Sequence, residues 1–224
     1  MKLPTAAELE RAAAAFDEDW GRVDEVLYGI CRQYPGHGVR REVTAKVALI
    51  DRAYSAGLER QVVPDAGDQA ITKIATFLVA QGGEVDEILA NLAPLREPLD
   101  EETMTEIVAV HGRFTDLLRG IPTRGTAPRS FAAKYLHFHR AVVPIYDSYA
   151  ATRLVTLVPW KEVERPFTEP PGADAEYWYF CVRFLELYQA CRQAVPSVSV
   201  KSLDSYIWTV PTSGQGVGPS SAEG

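Results

Sequence analysis

Apolar residues recur every three or four positions along nearly the whole chain. Trp20, Val23, Leu27, Ile30 and Tyr34 step around one helical face, and Val43, Val47, Ile50, Tyr54 and Leu58 do the same in the next segment, so each predicts an amphipathic helix. The stretch "DQAITKIATFLVAQGG" sets Ile71, Ile74 and Leu78 on one face and stops at a glycine pair. "EVDEILANL" then predicts a short helix ending before Pro94. "LDEETMTEIVAVHGRFTDLLRG" opens with acids, which suit the positive end of a helix dipole, carries Met104, Ile107, His111, Phe114 and Leu118 as a stripe, and ends at Gly120. A loop, "GIPTRGTAPR", leads to a helix of about twelve residues from Arg129 to Arg140, and Asp147, beyond Pro144, is placed to cap another.

Residues 158–173 hold four prolines and predict a long irregular surface connection. "DAEYWYFCVRFLELYQACRQAV" follows as a long helix with Tyr177, Phe180, Phe184, Leu187 and Cys191 facing inward, and "SVKSLDSYIWTV" as a last short one. No segment alternates as a strand, and no internal repeat is present. The pattern predicts one all-α domain over 1–210 of about eight to ten helices, with a division into two lobes near 94–100. The segment 211–224, "PTSGQGVGPSSAEG", is poor in apolar residues and predicts a disordered tail.

Composition agrees with a globular domain: 224 residues, 46% hydrophobic and 24% charged. No run of eighteen apolar residues exists, and Glu8, Glu10 and Arg11 stand where a signal peptide would need its apolar core, so a cytoplasmic protein with no membrane partner is expected. Cys31, Cys181 and Cys191 form no CxxC. Cys181 and Cys191 lie ten residues apart on one helix, about 15 Å by rise, too far for a disulfide, so reduced packing thiols are expected. The net charge of −7 argues against a surface coated in basic residues, yet one segment departs from it. From His111 to Arg140 there are Arg113, Arg119, Arg124, Arg129, Lys134 and Arg140 against the single acid Asp116, a local +5 that leaves −12 for the remainder.

That basic segment runs into "SFAAKYLHFHRAVVPIYDSYA", Ser130 to Ala150, where chemistry-bearing side chains crowd among aromatics. Helical spacing puts Phe131, Tyr135 and Phe138 on one stripe, and Ser130, Lys134 and His137 on another face, with lysine and histidine as neighbours. His137 and His139 stand about 200° apart around the axis and cannot share a metal from that helix, so no metal site is expected. One reading makes Lys134, His137 and Asp147 a polar catalytic cluster. The other makes Lys134 a solvated face residue, His139 a core histidine and Asp147 a helix N-cap. His111, on an apolar stripe, reads as a hydrogen-bonded core residue, and His37, in "YPGHG", as an exposed turn residue. Arg40, Arg41, Arg52 and Arg60 extend a basic surface or are ordinary solvated charges. No GxSxG, HExxH, EF-hand or Walker pattern occurs, and "GQGVG" lacks the flanking strand and helix of a phosphate loop, so no cofactor is expected.

"AAKYLHFHRAVVPIYDSYA" resembles the segment of helix-hairpin-helix DNA glycosylases in which an alanine-rich helix is followed by an apolar-Pro-x-x-Asp turn that presents the catalytic aspartate. "REVTAKVALIDRAYSAGLER" resembles an earlier helix of the same lobe; together they cover about a quarter of the chain. The resemblance implies a glycosylase-like all-α scaffold. It also implies Asp147 as the group that stabilises a departing base's sugar, once the base is flipped from the stack. The chain departs from the family at the hairpin, where "GIPTRGTAPRS" replaces the Leu-Pro-Gly-hydrophobic-Gly grip on phosphate, and at Lys134, which sits too far into its helix for the Schiff-base lysine. Two functions follow as expectations. One is a nucleic-acid-recognising protein that cleaves an N-glycosidic bond, with Asp147, Lys134 and His137 at the site and Arg119, Arg124, Arg129 and Arg140 as nucleic-acid contacts. The other is a noncatalytic helical interaction or regulatory module of a bacterial defence or regulatory system, with a protein or nucleic-acid partner.

Overall fold

The computed structural model describes residues 3–63, 69–125, 127–164 and 166–209, so the expected tail at 211–224 lies outside the described residues. Among these the protein is all-α, with ten α-helices, one 3₁₀ turn at Trp160–Glu162 and no strand beyond the isolated antiparallel bridge of Val62 with Thr123. No helix among them is long and apolar enough to cross a membrane.

Helix α1, Ala6–Gln33, is longer than its Trp20 to Tyr34 stripe predicts. Its start is set by a capping box: Thr5 Oγ1 accepts from the Glu8 amide at 3.2 Å while the Glu8 carboxylate accepts from the Thr5 amide at 2.8 Å. The second predicted helix breaks in two. Helix α2, Arg40–Ala53, ends before Tyr54, and the chain turns through Ser55 and Gly57, whose φ of 84° suits glycine, into the single turn of α3, Leu58–Gln61. Asp51 holds this break by accepting from the Leu58 and Glu59 amides at 2.8 and 3.0 Å. The Tyr54 to Leu58 step therefore spans a turn, a case where apolar spacing continues although the helix does not.

Helices α4, Ala70–Ala80, and α5, Gly82–Leu92, meet at Gln81, so the glycine pair begins the second helix as well as following the first. Asp100 caps α6, Glu101–Leu118, accepting from the Thr103 amide at 2.8 Å. Helix α7, Arg129–His139, packs against α1, α2 and α6, and every residue from Phe131 to Phe138 is buried. A helix buried all round must supply partners for each polar side chain it carries, which constrains Lys134 and His137 from the outset. Helix α8, Ser148–Leu157, is capped by Asp147, α9, Ala175–Ala194, by Asp174, and α10, Val200–Thr209, returns to pack along α1.

The proline-rich 158–173 connection is irregular as expected, but it is not wholly superficial. Val158 and Phe167 are buried, and the Gly172 carbonyl lies so close to α6 that a Cβ at Gly112 would sit 2.3 Å from it. One continuous core runs from Leu9 to Ile207. Cys31, Cys181 and Cys191 are free thiols within it.

Candidate functional site

Asp147 stands at the N-terminus of α8, where the turn after Pro144 leaves the end of α7. Its Oδ1 accepts from the Ala150 amide at 2.8 Å, so it is a helix cap; its Oδ2 lies 3.3 Å from Lys134 Nζ. Lys134 also donates to the Tyr54 carbonyl at 2.8 Å. The two side chains differ sharply in access, 2% exposed for Lys134 and 15% for Asp147. Burial pulls the Lys134 ammonium below the ordinary lysine range, and the Asp147 carboxylate opposes that pull. Lys134 is thus no solvated face residue. It is a sealed cation, delivered by the all-buried α7 beneath a carboxylate that reaches the surface.

Two hollows meet at that carboxylate, and Ser55, Asp147 and Ser148 line both. The first, about 420 Å³, is polar and is walled by Arg60, Gln61, Arg129, Ser130 and Glu176. The second, about 660 Å³, is aromatic, with Phe16 and Trp20 from α1, Tyr54 after α2, Tyr149 from α8 and Trp208 from α10 around it; Lys134 lies at its base and Asp19 on its wall. Trp20 and Tyr54 are 5.9 Å apart between ring centres, Tyr149 and Trp208 5.2 Å. Both volumes fall in the range of small-molecule pockets.

His137 does not join this site. Its Nδ1 donates to the Val143 carbonyl at 2.7 Å and its Nε2 takes the Tyr28 hydroxyl at 2.5 Å, which fixes a neutral ring; burial lowers its pKa to about 3. His137 and Lys134 are neighbours along α7 by helical spacing. The two side chains do not share surroundings, because α7 is enclosed and its two polar faces meet different neighbours. His111 is a core residue, stacked on Tyr177 at 3.6 Å with Nε2 bonded to the Arg129 carbonyl at 3.1 Å. His37 departs from expectation: it is fully buried, between the Asp86 carboxylate at 2.7 Å and the Tyr135 hydroxyl at 2.8 Å.

The +5 segment does not become a basic patch either. Arg113 pairs with Glu87, Lys134 with Asp147, and Arg129 with both Asp174 and Glu176 at 2.8 Å, so carboxylates from outside the segment offset most of its charge, while Arg119 pairs with Asp116 within it and Arg124 and Arg140 have no carboxylate partner among the described residues. Of the four arginines singled out, only Arg129 lines a hollow beside Asp147. Arg140 lies past the far end of α7, eleven residues on and about 16 Å away by helical rise, donating to the Ala93 carbonyl at 2.7 Å. Arg119 and Arg124 are exposed and line neither hollow.

In place of these arginines stands Arg60, exposed on the polar hollow and without a carboxylate partner among the described residues. Arg52, by contrast, is locked to Glu59 by two hydrogen bonds. No three histidine, cysteine, aspartate or glutamate side chains gather closely enough to hold a metal ion among the described residues. Comparison of the chain with family models, with curated proteins and with solved structures finds no match in any of the three.

Proposed function

We propose that the protein recognises nucleic acid at the cleft around Asp147, on a glycosylase-like scaffold, and that it cleaves an N-glycosidic bond there. The observation that carries the reading is the position of Asp147 where an aromatic hollow adjoins a polar one. A base flipped from its stack needs π faces on either side, its sugar needs a carboxylate beneath it, and the flanking phosphate needs a free cation. Trp20, Tyr54, Tyr149 and Trp208 offer the first, Asp147 the second and Arg60 the third. In the reaction the bond from C1′ to the base breaks with its electron pair leaving on the base. The positive charge on the sugar then rests against the Asp147 carboxylate until water adds at C1′ and gives up a proton, which the departed base takes to leave neutral. Lys134 is the positioning residue that fixes Oδ2, and Arg129, held by Asp174 and Glu176, shapes the polar wall. The reading places the protein in the cytoplasm, where three free thiols are at home.

A specific feature supports a noncatalytic module as the second reading. The loop after α6 spends backbone amides on its own chain, the Arg124 amide on the Gln61 carbonyl at 2.8 Å, and the Pro122 carbonyl accepts from Val63 at 3.0 Å. A loop bonded in this way offers less to a phosphate. One experiment separates the two readings: anisotropy binding to abasic, mismatched and single-stranded DNA across a salt series, with base release followed by strand scission at the abasic product. Binding is expected to weaken in Arg60→Ala with a salt slope smaller by about one, and to weaken in Trp208→Ala with the slope unchanged. Asp147→Asn should keep binding and lose base release. Binding without release in the unaltered protein selects the noncatalytic module; binding indifferent to both Arg60 and Trp208 removes the cleft from either reading.

A further inference from the structure

At the opposite end of α7 lies a second hollow, of about 480 Å³, separate in its lining from the cleft around Asp147. Its floor is apolar, formed by Cys31 at the end of α1 and by Leu89, Ala90 and Ala93 at the end of α5, while Arg32, Arg140 and His139 line it with polar groups. Beneath it Lys46 is completely buried. Its ammonium donates to the Tyr34 and Gly36 carbonyls at 2.9 and 3.2 Å and lies 3.4 Å from His37 Nε2, with no carboxylate paired to it among the described residues. Arg32 and Arg140 also lack carboxylate partners there, and His139 Nε2 is buried without a hydrogen-bond partner. The acid on this wall, Asp86, already accepts from His37.

A buried cation ordinarily comes with its counter-charge, because desolvation is otherwise uncompensated. Lys46 has the Asp86 and Glu42 carboxylates acting on it, which leaves Arg32 and Arg140 as the cations of this hollow without a carboxylate partner among the described residues, beside the unsatisfied imidazole of His139, in a chain that is acidic as a whole. We propose that this hollow binds a small organic phosphate. The phosphate head lies between Arg32 and Arg140 and accepts from His139 Nε2, and the apolar body rests on Leu89, Ala90 and Ala93. Guanidinium groups suit its oxygens better than a point charge would. Burial together with the nearby Lys46 and His37 keeps the His139 pKa well below the usual histidine value, so its ring enters as a neutral N–H donor.

Titration calorimetry at low ionic strength with phenyl phosphate as the probe tests this. One saturable site is expected, weakened about tenfold or more by Arg140→Gln and by Arg32→Gln, because each removes a charge-assisted hydrogen bond. Arg60→Gln, in the polar hollow beside Asp147, should leave it unchanged, which separates this site from phosphate held at the cleft. Inorganic phosphate should bind more weakly than phenyl phosphate, and the His139 ring nitrogen resonance should shift on saturation. Melting curves of the unliganded variants establish that they are folded. Absence of saturable binding, binding that survives both arginine changes in folded protein, or binding lost on Arg60→Gln instead would each overturn the proposal.

Discussion

Asp147 holds two duties with two oxygens, and they can be separated by substitution. Alanine removes the α8 cap, at about 1 kcal/mol, and also leaves Lys134 sealed without its counter-charge, which costs about 3 kcal/mol more. Asparagine keeps the cap and loses only the pairing. Urea denaturation should therefore rank the parent above Asp147→Asn and that above Asp147→Ala, and Lys134→Met placed on Asp147→Asn should recover much of the loss by removing the stranded cation. Equal stability of the parent and Asp147→Asn would mean that Lys134 does not depend on the carboxylate. The cap was legible in the sequence because it depends on a proline, an aspartate and the helix just after them. The burial of Lys134 was not, since an amphipathic reading of α7 cannot see that α1, α2 and α6 enclose it. Nor could the aromatic hollow be read: Phe16, Trp20, Tyr54, Tyr149 and Trp208 come from four widely separated stretches, and no local pattern joins them.

At the level of helices, the two glycines Gly29 and Gly112 make opposite predictions. Both lie inside helices, where alanine normally gains up to about 1 kcal/mol. A Cβ at Gly29 meets nothing within 4 Å, so Gly29→Ala should stabilise; at Gly112 it would strike the Gly172 carbonyl, and Gly112→Ala should cost about 2 kcal/mol or more as α6 and the 170–173 turn are pushed apart. Thermal melts of the pair check the contact, and a Gly112→Ala protein as stable as its parent would deny it. Helix positions were largely readable, because a 3.6-residue period is a local property and the caps at Asp100 and Asp147 are local too. The α2 to α3 break was missed for the same reason. The apolar spacing ran on through Tyr54 to Leu58, and only the Asp51 bonds to two amides beyond the turn reveal that the helix had already stopped.

Across the whole molecule, acid should loosen the fold. His37, His111 and His137 are held neutral with pKa values lowered to about 4, 4 and 3, and His139 is depressed as well. The unfolded chain takes up these protons below about pH 6.5 while the folded one refuses them, so stability should be full above that pH and fall progressively toward pH 3. Asp51, Glu186 and Asp204, whose carboxyl pKa values burial raises, act in the opposite sense above their ordinary range. Glu59, Asp100 and Asp174, whose hydrogen bonds hold them below the ordinary carboxylate range, also lose stabilisation in acid, so seven of these groups act with the histidines' sign against three. Calorimetric melting between pH 7 and pH 4 should show a falling midpoint, less steep in His137→Phe; a midpoint that rises on acidification would show that the three raised carboxyls dominate. The pairing of α1 with α10 carries a consequence in time. Leu9 and Leu27 are made well before the helix that lies along α1, with Leu203 and Ile207, which is the last of the described helices to be synthesised. During translation α1 must wait, its apolar face open, and both the Lys201 contact to Asp24 and the Trp208 wall of the aromatic hollow arrive only with the end of the described chain. A nascent chain halted before Val200 should bind a hydrophobic dye and holdase chaperones, and the site around Asp147 should mature only after α10 has emerged.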